Sequence, residues 1–85
     1  MSSPEDNRKK LQDVFVEALD LDAGAVHWDT LAYRGIEEWD SVAHMRLVAD
    51  IEDAFDVMLD TDDVIGMSSF VVAQEILTRL GVDLG

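Results

Sequence analysis

Asp40-Ser41-Val42-Ala43-His44-Met45-Arg46-Leu47-Val48-Ala49-Asp50-Ile51-Glu52-Asp53-Ala54-Phe55 is the stretch on which the fold turns. Leu47, Val48, Ile51, Ala54 and Phe55 return at the three- and four-residue steps of one helical face, which predicts a helix over Ser41 to Phe55. Asp40 and Ser41 each offer a short oxygen-bearing side chain for its start, so either residue, or the two as a pair, can cap it. A second apolar row, Val42, Met45 and Ala49, climbs the same helix beside Ser41. One row is enough to fix a helix to a core. The second asks for an explanation, as further core packing or as a contact surface.

Upstream, Ser3 can cap and Pro4 suits the first helical position, with Glu5 and Asp6 at the positive end of the dipole. Leu11, Val14, Phe15, Ala18 and Leu19 then form the apolar face of a helix over about residues 4–19. Between Asp20 and Trp39 the periodicity breaks. A long segment without regular structure in a small domain needs anchors, and Trp28, Leu31 and Ile36 are placed to supply them. Downstream, Thr61 can cap a short helix over about 61–65, with Asp62 and Asp63 in its first turn and Gly66 at its end. Ser68 or Ser69 caps a last helix over about 69–80, with Phe70, Ala73, Ile76, Leu77 and Leu80 on its inner face and Gly81 at its end. No segment alternates long enough to read as a strand. The expected fold is all-α, a bundle of three main helices plus a short one with a long first loop, in a single domain over residues 1–85.

Composition limits what such a bundle can do. With 85 residues and 48% hydrophobic content, the chain can build one core that buries roughly 60–65% of its unfolded surface, but not two. Cysteine is absent, so apolar packing must carry the stability, and a reducing cytoplasm is the expected setting. No run approaches the ~20 apolar residues of a membrane span, and the first ten residues lack the apolar stretch of a signal peptide. The net charge of −13 repels nucleic acid and anionic lipid and favours cationic protein partners. Ten acids lie between Glu37 and Asp63 against Arg46 alone.

Asp40-Ser41-Val42 at the start of the second helix resembles the Asp-Ser-Leu signature of acyl and peptidyl carrier proteins. The likeness runs through the first amphipathic helix, the anchored loop, the acidic second helix ending Ile51-Glu52-Asp53-Ala54-Phe55-Asp56, the short third helix and the capped fourth. The resemblance implies an acyl carrier protein with no catalysis of its own. A phosphopantetheinyl transferase would move phosphopantetheine from coenzyme A onto the Ser41 hydroxyl, and acyl cargo would ride on the arm as a thioester. The position suits this chemistry, since the N–H groups of a helix start tolerate a phosphodiester anion. By the same resemblance Asp40 is the signature acid read by the transferase. Val42, Met45 and Ala49 are either ordinary core packing or, by the resemblance, contacts that with Arg46 meet acyl-activating, acyltransferase or synthase partners, while Glu52, Asp53 and Asp56 are either a solvated face or meet the basic patches of those partners.

Departures from the family pattern sharpen the expectation. Val42 replaces Leu, His44 and Arg46 bring basic character, and Trp39 stands before the signature, where it either helps set partner choice or packs under the loop. Together they imply a freestanding, monomeric carrier with dedicated partners in a specialised polyketide, lipopeptide or fatty acid pathway. A peptidyl carrier is the nearest alternative, and an unmodified acidic helical adaptor the next. Ser41, His44 and Asp40 are the only residues that could mimic a nucleophile–base–acid set, but an early-helix position offers no cleft. A calcium loop at Asp60-Thr61-Asp62-Asp63 fails because Ile65 and Val71 stand where the pattern needs Gly and Glu, so no metal site is expected.

Overall fold

A computed structural model describes residues 3–84. Helix α1 spans Pro4–Leu19, α2 Ser41–Phe55, α3 Thr61–Gly66 and α4 Phe70–Arg79, the arrangement expected of an all-α bundle. Ser3 caps α1 by accepting from the Asp6 N–H at 3.1 Å, with Pro4 in the first turn. The C-caps of α1 and α2 are Asp20 and Asp56, both in the left-handed region at φ 54° and 52°. Aspartate tolerates that conformation better than most side chains, so these two helices stop without a glycine.

The shorter helices refine the sequence boundaries. Helix α3 runs one residue further than expected and is capped by Asp60, whose Oδ1 accepts from the Asp63 N–H at 2.8 Å, so Thr61 becomes the first helical residue rather than the cap. Ser69 caps α4 from just outside it, accepting from the Val72 N–H at 3.1 Å. Leu80 falls beyond the last helical turn and is exposed, because Gly81 at φ 98° swings the chain away. Val14, Ala54 and Phe55 sit at the rim of the core rather than inside it.

Leu11, Phe15, Ala18 and Leu19 of α1 pack with Leu47 and Ile51 of α2 and with Phe70, Ala73, Ile76 and Leu77 of α4 in one connected core. Phe15 is its aromatic hub, edge-on to Trp39 at 5.4 Å and to Phe70 at 5.0 Å, geometries that aromatic quadrupoles favour. The long loop over residues 20–39 is tied to this core by its own side chains. Leu31 and Trp39 are buried, and Trp28 packs on Phe15 and Phe70. Of the two readings of Trp39, packing is the correct one. The ring is fully buried and presents nothing to a partner.

Backbone bonds complete the pinning. Ala32 and Ser69 form an isolated antiparallel bridge, with the Phe70 N–H donating to Leu31 O at 3.1 Å and the Tyr33 N–H to Ser68 O at 2.8 Å. Arg34 turns through the left-handed region at φ 62° and donates its N–H to Trp39 O at 3.0 Å, which brings Tyr33 back beside Trp39 at the foot of α2. Among the described residues, no helix is long and apolar enough to cross a membrane.

Candidate functional site

Asp40 decides how Ser41 is used. Its backbone is extended and its Oδ1 accepts from the Ala43 N–H at 2.9 Å, so Asp40 is the N-cap of α2. Ser41 therefore becomes the first helical residue. Its hydroxyl is relieved of capping and exposed. A serine at the N-cap would be spent on the backbone, and here the neighbouring carboxylate holds that place.

Tyr33 OH is the hydrogen-bond partner of Ser41 Oγ, at 3.2 Å. The tyrosine reaches the serine from the loop because its ring is wedged between two others. It stands edge-on to Trp39 at 6.3 Å and packs against His44 at 5.1 Å. Nothing in the hydropathy pattern pointed to Tyr33. The available signal was its place as the single tyrosine of the chain, close before the signature in a loop that must fold back on the bundle.

His44 serves the same cluster from below. The Trp39 indole N–H donates to His44 Nδ1 at 3.0 Å, and His44 Nε2 lies 2.8 Å from Val64 O. An indole nitrogen only donates, so Nδ1 must carry a lone pair and Nε2 the proton that it gives to Val64 O. His44 thus does not stand free on the surface. The ring instead ties the loop, α2 and α3 together. Both nitrogens are committed away from Ser41, so the imidazole is not disposed to take the serine proton.

The second apolar row is free. Val42 is 81% exposed and Met45 60%, and Ala49 is also exposed. Two residues that the sequence reading passed over share this character, Met58 at 86% and Ile65 at 75%. The His44–Val64 bond holds the segment carrying Ile65 alongside the first turns of α2. Met58 in Val57-Met58-Leu59 and Ile65 beside Val64 lie in apolar runs too short for a periodicity to reveal either one.

The acids divide into two groups. Asp40 and Asp60 cap helices, and Asp63 is buried against Arg79. Glu52 accepts from the Leu59 N–H at 2.9 Å and so braces the α2–α3 turn. Asp50 pairs loosely with Arg46 at 3.8 Å on the surface, a contact of small energetic weight. The carboxylates of Glu37, Glu38, Asp53, Asp56 and Asp62 have no hydrogen-bond or ion-pair partner among the described residues. Of the acids assigned to partners, Asp53 and Asp56 are free and Glu52 is engaged. Among the described residues, no group of three or more His, Cys, Asp and Glu could hold a metal ion.

Ser41 fits a phosphodiester in three respects. Its oxygen faces solvent, the start of a 15-residue helix lies directly behind it, and the Tyr33 hydroxyl stands within reach as a donor. A recess of about 300 Å³ beneath the loop, lined by residues including Leu21, Val26, Leu31 and Ile36, includes neither Ser41 nor Tyr33. Comparison with protein-family models, with curated proteins and with solved structures gives no match.

Proposed function

We propose that this chain is a cytoplasmic acyl carrier protein that bears phosphopantetheine on Ser41 and passes acyl intermediates between partner enzymes. The observation that carries the reading is the division of labour at residues 40 and 41. Asp40 caps the helix, and the serine hydroxyl beside it is left exposed at the helix start. A serine whose only task was capping would accept from the backbone itself. The group would be held through a phosphodiester at Ser41 Oγ, and its terminal thiol would supply the thioester chemistry. The chain's own residues would orient the arm's root and present docking surface to those who load and unload it. The exposed Val42, Met45 and Ala49 support an apolar contact along α2, and the free carboxylates of Asp53 and Asp56 support a basic partner.

Intact-mass measurement after incubation with coenzyme A and a promiscuous phosphopantetheinyl transferase tests this directly. The expected result is the addition of one phosphopantetheine group to the protein and none to Ser41→Ala. An unchanged mass in the unsubstituted protein, under conditions that modify a control carrier, would establish the unmodified adaptor instead. Loading assays with acyl-activating and amino-acid-activating enzymes then distinguish acyl from aminoacyl cargo.

A further inference from the structure

We infer that Tyr33 belongs to the phosphopantetheine site, orienting the Ser41 hydroxyl before modification and donating a hydrogen bond to the phosphodiester afterwards. The inference rests on the carrier reading above and extends it to a residue outside the signature. Its basis is the 3.2 Å contact between Tyr33 OH and Ser41 Oγ. It is strengthened by how firmly the phenol is placed.

Tyr33 is fixed at both ends. Its backbone N–H is bonded to Ser68 O at 2.8 Å, and its ring lies against Trp39 and His44. Those two rings are themselves fixed, Trp39 by full burial and His44 by bonds from both nitrogens. The hydroxyl is thus delivered to one point in space. An exposed serine side chain rotates among three staggered positions. A partner held this rigidly selects the position that the contact requires, and the entropy of that choice is met before the transferase arrives.

The modification fixes the direction of the bond. In the unmodified protein either hydroxyl can donate to the other. During transfer, Ser41 Oγ bonds to the pantetheine-side phosphorus of coenzyme A. The bond from that phosphorus to the bridging oxygen breaks, adenosine 3′,5′-bisphosphate leaves, and the serine proton passes to a base on the transferase. Ser41 Oγ then has no hydrogen. Tyr33 can only donate, either to that oxygen or to the charged oxygens beside it, and a hydrogen bond to an anion is stronger than one between neutral hydroxyls. The contact therefore outlives the reaction, with Tyr33 now its donor.

Two measurements test this. In steady-state phosphopantetheinylation, Tyr33→Phe keeps the ring and removes the oxygen, and it is expected to lower kcat about 3- to 10-fold with KM unchanged, as for a contact that matters in the transition state. In the unsubstituted protein labelled with 13C-tyrosine, the single Tyr33 Cζ resonance is expected to move between the unmodified and modified forms, and this readout requires no variant. Transfer to Tyr33→Phe at the unsubstituted kcat, or a Cζ resonance that stays in place, overturns the role of Tyr33. Failure of the unsubstituted protein to gain mass would instead overturn the carrier reading on which it rests.

Discussion

The two faces of α2 are built from the same kinds of residue and behave oppositely. Leu47, Val48 and Ile51 are buried, while Val42, Met45 and Ala49 face solvent one step around the same helix. Leu47 and Ile51 on the first face belong to the core shared with α1 and α4, so their contribution lies in folding. Those on the second have no such neighbours, and their removal should leave the fold alone. What separates the buried row from the open one in this helix is thus direction rather than chemistry. An apolar row is informative when the core has already been filled by another one.

Substitutions can break that contrast in order of size. Leu47→Ala leaves a hole in a fully buried site and is expected to destabilise the protein by about 2–5 kcal/mol, read from urea unfolding monitored by helical circular dichroism. Asp40→Ala removes the cap of α2 and is expected to cost about 1 kcal/mol in the same assay. It should also draw Ser41 toward the backbone, so that modification slows as well. Val42→Ala, on the open face, is expected to change stability by less than about 0.5 kcal/mol while raising the KM for a partner enzyme. A Val42 variant as destabilised as Leu47→Ala would collapse the distinction between the two faces.

Much of this was legible in the sequence because helices write their own periodicity. The apolar spacing of α1, α2 and α4, the Ser3 cap, a serine cap at residue 68 or 69 and the anchoring by Leu31 and Trp28 all follow from local rules. What escaped depends on residues distant in the chain. Thr61 lost its capping role to Asp60 because two oxygen-bearing side chains compete at one start, and only geometry decides between them. His44 shows only its type in the sequence, whereas its hydrogen bonds to Trp39 and to Val64 on another helix appear only in the fold. Tyr33 meets Ser41 only because Arg34 reverses the loop and Ser68 receives it. The acids showed the same limit. Sequence counts charges, whereas structure shows that Glu52 is occupied and that Asp53 and Asp56 are free.

The bridge between Ala32 and Ser69 gives the serine a place in the order of folding. The helices can form from contacts a few residues apart, but this bridge joins segments that lie on opposite sides of α2 and α3 in the chain, and such closures carry the larger entropic cost. Tyr33 reaches its position only when the segment before α4 has docked. A chain that has its helices but not its bridge offers a serine without its tyrosine, so the neighbourhood of Ser41 is a report on the completeness of the whole fold.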